Sequence, residues 1–262
     1  ERDKVLEAIG GAGSNAFTSR DLTTYVNVIP KNQIENWVIM NADMFKNPSL
    51  RGFHTELETV YQEYNMYNEQ DWDRLFESVM ASLFEKHPYG NPILGFQEHL
   101  KNPSIKDVKA FYKKYYVPNN MAICMSGDLD FDKTIELIDR HFSYMKPNES
   151  IDTITFEPED KITVPKIKDI YGQEHEALML AWRLTDIEEI DNSLVEVANK
   201  VLYNGTTGLL DANITNNQYA LETFAQIITL NDYGFMFIYA VPKDGQTLDE
   251  LKELLLGEIK NL

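Results

Sequence analysis

The feature that most constrains the fold is a long stretch of strand-forming residues that follows a group of glycines and precedes the first predicted helix. Glycines at and after Gly10 lead into Thr, Tyr and Val residues that continue to Ile29. β-branched and aromatic residues of this kind favour a strand, which we place from about Ser14 to Ile29. A glycine-rich phosphate loop would instead lead into a helix. The run therefore predicts an extended strand and argues against a phosphate site.

Helical periodicity follows this strand, and prolines punctuate the helical stretches. Ser104 is a suitable N-cap for one of the later helices. The predicted elements of the first half are helices at about 31–45, 50–66, 71–84, 104–116 and 130–142, and a strand at 120–126. That strand contains Cys124, which we expect to be buried. A single cysteine cannot form an intrachain disulfide.

The second half repeats the same order of strands and helices after a polar stretch that carries two prolines. The polar stretch lacks periodicity, which is typical of a domain boundary. We therefore predict a first unit at 1–145, a linker at 146–160 and a second unit at 161–262. The predicted elements of the second unit are strands at 161–170, 177–183, 221–229 and 234–241, and helices at 191–203 and 247–261.

Strands followed by amphipathic helices predict an α+β fold. Each unit should be an antiparallel sheet with helices packed on one face. The formal net charge of −18 argues against nucleic acid or an anionic membrane surface as a partner, because both are polyanions. No run of 18 apolar residues is present, so we also expect no membrane insertion. The same acidity is compatible with capture of cationic peptides.

Glu56 and Glu63 stand seven residues apart within a predicted helix. Seven residues are nearly two helical turns, so both carboxylates should project from the same face. Glu58 points elsewhere and is expected to be an ordinary surface residue. A carboxylate can bind zinc, and a second carboxylate nearby can orient the first ligand or the substrate. Paired glutamates on a helix are nevertheless often only solvated surface.

At these positions the chain resembles the pitrilysin and insulinase-like zinc peptidases, also called inverzincins. The resemblance is dense in the first half and weaker in the second. The matching segments are Asn15-Ala16-Phe17-Thr18 after the glycines, Glu56 to Glu63 with Val60, His87-Pro88-Tyr89-Gly90, the run 115–121, and Gly127-Asp128. The family implies the same two-unit fold and a zinc endopeptidase that cleaves peptides or small unfolded proteins.

The resemblance also implies roles for individual residues. Glu63 would be a Zn²⁺ ligand, and Glu56 would support the metal in a catalytic role. The strand residues Ser14, Asn15, Ala16, Phe17 and Thr18 would bind peptide substrates by main-chain pairing. Asn15 could additionally hold a substrate carbonyl.

The His-x-x-Glu-His motif of the family supplies two zinc ligands and the general base. None of the five histidines of this chain lies in such a motif, so we expect the motif upstream of residue 1. The stretch 204–211 also lacks the Arg that active members often carry. This absence indicates a further half of a longer chain or a partner subunit.

Two alternatives to an active peptidase remain open. The chain could be a metal-free family member that acts as a partner subunit or scaffold. It could also be an acidic binding protein without enzymatic ancestry. Retention of both Glu56 and Glu63 favours the peptidase. The cellular compartment, periplasm or cytoplasm, stays open.

Overall fold

The computed structural model describes residues 2–151, 155–184 and 192–262. It contains helices and antiparallel strands distributed over both halves of the chain. In chain order they are α1 (Arg2–Ala8), β1 (Gly13–Thr18), β2 (Thr23–Val28), α2 (Ile34–Lys46), α3 (Phe53–Glu69), α4 (Asp71–Leu83), α5 (Gln97–Lys101), α6 (Ile105–Tyr115), α7 (Phe131–Phe142), β3 (Leu178–Leu184), α8 (Asn192–Leu202), β4 (Glu222–Thr229), β5 (Gly234–Val241) and α9 (Leu248–Ile259). A π-helix, Leu210–Thr215, follows α8.

The chain forms two compact units, each built from two separate stretches. The first unit combines residues 1–63 with 93–156. The second combines residues 64–92 with 157–262. Helix α4 therefore packs with the sheet of the second unit, although it precedes that sheet by about a hundred residues.

The first unit is organised around a β-hairpin and several helices. Strands β1 and β2 pair antiparallel, with Ala16 opposite Tyr25. Helix α2 contacts α7 and contributes the buried residues Val38 and Ala42. Helices α3 and α6 carry no fully buried residue. Much of the apolar surface of this unit is therefore only half covered in the described part of the chain.

The second unit is a three-stranded antiparallel sheet in the order β3-β5-β4, covered by helices on both faces. The central strand β5 is buried along most of its length. On one face Phe235 and Phe237 pack against Met80 of α4. On the other face Ile238 packs in a core with residues of α8, the π-helix and α9. Apolar side chains thus alternate between two cores, as expected for a strand buried on both sides.

The mixed fold with antiparallel sheets is confirmed, and most helices lie where the sequence places them. Helix α6 begins after Ser104, whose hydroxyl accepts a hydrogen bond from the Asp107 N–H. Helix α9 begins with a capping box in which Thr247 and Glu250 satisfy each other's main-chain N–H groups. The helices contributed by residues 192–262 lie on one face of their sheet, as predicted. The second face is covered by α4.

Three strand predictions differ from the structure. The expected single strand from Ser14 to Ile29 is a hairpin, because the polar residues between Thr18 and Thr23 form a tight turn closed by Ser19 N–H donating to the Leu22 carbonyl. The stretches 120–126 and 161–170 form no strand in the described part of the chain: Asn120 ends the 3₁₀ turn Pro118–Asn120, and Val164 lies at a bend. Strand-forming composition alone does not supply a partner. Cys124, expected to be buried, is consequently exposed.

The compact units cross the predicted division into 1–145, a linker at 146–160 and 161–262. Stretch 64–92 joins the second sheet because the aromatic and aliphatic side chains of α4 cover one of its faces. The division into 1–145, 146–160 and 161–262 concerns two similar units that follow one another in the sequence, and it stays a prediction. Within 146–160 the structure has one short 3₁₀ turn, Glu149–Ile151, and residues 152–154 lie outside the described residues.

Candidate functional site

Strand β1 has one edge bonded to β2 and one edge open among the described residues. At the turn, Ser19 N–H donates to Leu22 O at 2.8 Å. In an antiparallel pair, residues whose main-chain groups bond to the partner strand alternate with residues whose main-chain groups face away from it. Counting back from Ser19, the residues of β1 that bond to β2 are Phe17, Asn15 and Gly13. The main-chain groups of Ser14, Ala16 and Thr18 therefore face the open edge.

One hydrogen bond supports this assignment directly. The Ala16 N–H donates to Oδ1 of Asn15 at 2.9 Å instead of bonding β2. All residues of β1 are exposed. The strand thus presents main-chain donors and acceptors that an extended peptide could pair with.

The two faces of the hairpin differ in chemistry. One face is held by polar contacts: Tyr25 Oη lies 2.9 Å from Tyr116 Oη, and Asn27 Oδ1 accepts from Trp37 at 2.9 Å. The opposite face carries Phe17 and Val28, which are 52% and 57% exposed. An added strand would therefore find an anchored hairpin with an apolar outer face beside its open edge.

Glu56 and Glu63 both lie on α3, as predicted, and both are exposed. Within the described residues neither carboxylate takes part in a hydrogen bond or an ion pair, so both are available to an incoming ligand. Glu58 is also exposed and lines a shallow groove with Tyr61 and Lys101. The structure therefore brings the two candidate carboxylates onto one helix.

The described residues do not complete a metal site. No group of three or more His, Cys, Asp or Glu side chains in the described ranges is arranged to hold a metal ion. His54 is near Glu56 in sequence, but its ring packs edge-on against Phe53 at 5.5 Å. A zinc ion bound by Glu63 would need further ligands from outside the described residues.

Comparison with known proteins identifies the family. The family model "Insulinase (Peptidase family M16)" matches residues 1–97, and the model "Peptidase M16 inactive domain" matches residues 104–262. The chain belongs to the M16 peptidase family. The sequence-based resemblance to pitrilysin and insulinase-like peptidases is thereby confirmed.

Several relatives and solved structures are similar to nearly the whole chain. The zinc protease PqqE of Helicobacter pylori is 24% identical over 246 residues, covering 91% of this chain and 55% of the relative. The crystal structure of a protease from Helicobacter pylori has a TM-score of 0.83 at 22% identity, covering all of this chain and 65% of that one. A chain of complex III2 from Candida albicans has a TM-score of 0.72 at 17% identity, covering 98% and 64%.

The M16 chain described here thus spans little more than half the length of the curated relative. The similar structures establish the fold at these identities. One of these structures is a protease from Helicobacter pylori, and the other is a chain of complex III2 from Candida albicans. Membership of the family therefore does not by itself decide between an enzyme and a partner subunit.

Two further histidines, His87 and His175, have structural surroundings in this M16 chain. His87 is buried, its Nδ1 accepts from the Tyr89 N–H at 3.3 Å, and its Nε2 lies 3.1 Å from Asp232 Oδ2. An Nδ1 that accepts leaves the proton on Nε2, which donates to the carboxylate. His175 is exposed and lies 3.4 Å from the hydroxyl of Tyr239. Neither residue shows a metal-binding arrangement.

A buried ion pair in the second unit was missed by the sequence analysis. Glu159 Oε2 lies 3.3 Å from Nη1 of Arg183, with side-chain exposures of 4% and 9%. Glu159 Oε1 also accepts from the N–H groups of Lys86 and His87 at 2.7 and 2.8 Å. The only sequence signal was an acidic run inside the polar linker and an arginine closing an apolar strand. The pair is separated by 24 positions along the chain, so no local pattern reveals it.

Burial alone would raise the pKa of Glu159, but several groups oppose it. The main-chain N–H groups of His87, Lys86 and Glu85 and the charge of Arg183 lower the pKa below its ordinary value. Glu159 therefore stays ionised in the folded state. Through its hydrogen bonds to Lys86 and His87, Glu159 attaches the beginning of stretch 157–262 to the loop that follows α4.

Proposed function

We propose that this M16 chain belongs to a zinc-dependent endopeptidase that cleaves peptides or small unfolded proteins. The observation that carries the proposal is the open edge of β1, formed by Ser14, Asn15, Ala16, Phe17 and Thr18. Its outward-facing main-chain groups suit an extended peptide of almost any sequence, since strand addition uses main-chain hydrogen bonds. The Asn15 side chain could hold a substrate carbonyl through its Nδ2–H groups, since the atom that accepts from the Ala16 N–H is its Oδ1.

In this proposal Glu63 contributes one zinc ligand and Glu56 supports it. Their unpaired, exposed carboxylates on one helix fit both roles. The further ligands and the general base come from outside the described residues. Zinc, when bound, would supply a Lewis acid for peptide hydrolysis. The chain's own contribution is one ligand and the strand that positions the substrate.

The alternative is a metal-free partner subunit or scaffold. It is favoured by the match of residues 104–262 to a model described as an inactive domain. It is also compatible with the similar fold of a chain of complex III2 from Candida albicans. In that case the free edge of β1 would pair with another protein and not with a substrate.

Cleavage of a quenched fluorescent peptide by the full-length protein separates the two functions. The peptidase proposal predicts cleavage that stops with a chelator and returns when zinc is restored. Glu56→Gln should lower turnover with a smaller loss of metal than Glu63→Gln. Absence of cleavage by a folded, zinc-supplemented full-length protein would contradict the peptidase and support the partner subunit.

A further inference from the structure

Residues 161–170 have a strand-like sequence but no regular secondary structure, with a bend at Val164, and no strand partner among the described residues. None of its main-chain groups makes a hydrogen bond within the part of the chain that the structure describes. Its apolar side chains are open to solvent, with Val164 70% and Ile167 83% exposed. Main-chain groups without hydrogen-bond partners, next to exposed β-branched side chains, leave this segment without the pairing that its sequence favours.

The neighbouring strand β3 also has an open edge, and hydrogen-bond alternation shows which residues face it. Leu230 N–H donates to the Tyr233 carbonyl at the β4–β5 turn, so Tyr233 points toward β4 and Gly234 points toward β3. Gly234 is opposite Leu184, so Leu184 and every second residue before it bond to β5. The β3 residues whose N–H and C=O groups face the open edge are Met179, Ala181 and Arg183.

We propose that residues 161–170 add to the open edge of β3 as a fourth, antiparallel strand. The connection between the two stretches is short, as in most consecutive antiparallel strands. Each stretch would supply what the other lacks, since both hold unpaired main-chain groups. The pairing is internal to the second unit and does not depend on the proposed peptidase function.

Pro165 determines which residues of the segment face β3. Proline has no N–H, so in a paired edge strand its nitrogen must point to solvent. The even-numbered residues Val164, Lys166 and Lys168 must then bond to β3. Pro165 itself would lie opposite a residue of β3 that bonds to β5.

The side chains agree with this assignment. Residues opposite one another share a face, so Lys166 would lie on the face of Met179 and Ala181, which pack against the α4 core. Lys166 Nζ already lies 2.9 Å from the Ser82 carbonyl at the end of α4 and 2.8 Å from Glu85. Ile167 would fall on the opposite face, the face to which Leu180 belongs.

One register fits the charges best. Pro165 opposite Trp182 places Lys166 opposite Ala181 and Val164 opposite Arg183. A shift by two residues in one direction would set Lys166 directly against Arg183, which is unfavourable because both are cations. A shift in the other direction would carry Lys166 toward the start of β3, away from the end of α4 that it contacts.

Both flanks of the segment are already fixed to the second unit. On the amino side Glu159 pairs with Arg183 of β3. On the carboxyl side the Glu174 N–H donates to Asp71 Oδ2 at 2.7 Å. Fixed ends reduce the conformational entropy that pairing would cost. Pairing would replace the open edge of β3 with the outer edge of residues 161–170, where Pro165 offers no N–H to a further strand. Addition of a strand from another chain would therefore be less favoured at this edge than at β4.

Amide hydrogen exchange of the 262-residue chain, resolved by NMR, tests the pairing without any mutation. The amides of Val164, Lys166 and Lys168 should exchange more than about tenfold more slowly than those of Thr163, Ile167 and Asp169. The outward amides Met179, Ala181 and Arg183 should be protected as well. Uniformly fast exchange over 161–170, or protection with the opposite alternation, would overturn the proposal.

A disulfide tests the register independently. In a Cys124→Ser background, Pro165→Cys with Trp182→Cys should oxidise to a cross-link, because directly opposite residues that do not exchange hydrogen bonds bring their Cβ atoms close. The control pair Lys166→Cys with Trp182→Cys places the thiols on opposite faces and should remain reduced. Equal oxidation of both pairs, or of neither, would contradict the register.

Discussion

At the scale of single residues, the buried Glu159–Arg183 pair is the feature with the clearest energetic consequence. Both side chains are almost fully removed from solvent, and the guanidinium lies over the rings of Phe84 and Tyr233 at about 6 Å. Removing one partner of a buried pair leaves the other charge uncompensated, which is strongly destabilising. By contrast, the nearby Lys86–Glu157 pair has a largely exposed carboxylate and should contribute little.

We therefore predict that Glu159→Gln destabilises the second unit by about 3 kcal/mol, while Glu157→Gln changes its stability by less than about 1 kcal/mol. Urea unfolding at neutral pH, followed by far-UV circular dichroism, measures both. Equal free energies of unfolding for the two variants would show that the buried Glu159–Arg183 pair stabilises the unit no more than the exposed Lys86–Glu157 pair.

The lowered pKa of Glu159 also predicts a pH dependence. The stabilisation is present above the ordinary glutamate pKa and is lost as the pH falls through the lower pKa of the folded state. Acidification should thus destabilise the wild-type chain more than Glu159→Gln. Unfolding curves at neutral and acidic pH check this, and parallel losses in both proteins would contradict it.

At the scale of elements, neighbouring residues of β1 differ in the direction of their main-chain N–H groups. Ala16 has its N–H on the open edge, whereas the alternation places the Phe17 N–H on the side of β2. Ala16→Pro should leave the hairpin intact, and in the full-length enzyme it should raise KM for peptides by about three- to tenfold through loss of one hydrogen bond. Phe17→Pro should disrupt the hairpin itself.

Peptide kinetics and thermal unfolding of the two variants measure these effects. An unchanged KM in a folded Ala16→Pro variant would show that substrate does not bind at this edge.

Helices were predicted from sequence far better than isolated strands, and the reason is physical. A helix satisfies its main chain internally, so the caps at Ser104, Asp130 and Thr247 and the apolar spacing mark it locally. A strand needs a partner that its own sequence does not contain, which is why 120–126 and 161–170 were predicted as strands but are unpaired.

The same distinction applies to the candidate site. The placement of Glu56 and Glu63 on one helix follows from local spacing and was predicted. The open edge of β1 depends on what lies beside the hairpin. The Glu159–Arg183 pair depends on tertiary contacts, so neither arrangement could be read from spacing alone.

At the scale of the whole molecule, the chain carries an M16 fold without a complete set of metal ligands in its described part. No helix among the described residues is long and apolar enough to cross a membrane. Among the described residues, open strand edges could pair with a peptide or another protein, but the ligands of a zinc site are not all present. The peptidase proposal therefore concerns the full-length protein.

The chain alone should bind zinc weakly, because one carboxylate is a poor site for the ion. Equilibrium dialysis of the 262-residue chain against micromolar zinc should leave less than stoichiometric metal. Retention of one zinc per chain would mean that residues described here assemble a site that their arrangement does not show.

Zinc content of the full-length protein after dialysis tests the central claim most directly. Wild type and the control Glu58→Gln should each retain about one zinc ion per molecule, since Glu58 lies off the face shared by Glu56 and Glu63. Glu63→Gln should lose the metal while its circular dichroism stays unchanged, because the substitution removes the charge of a ligand at nearly constant volume. Full zinc occupancy in Glu63→Gln, or a folded wild type without zinc, would contradict the assignment of Glu63 as a zinc ligand.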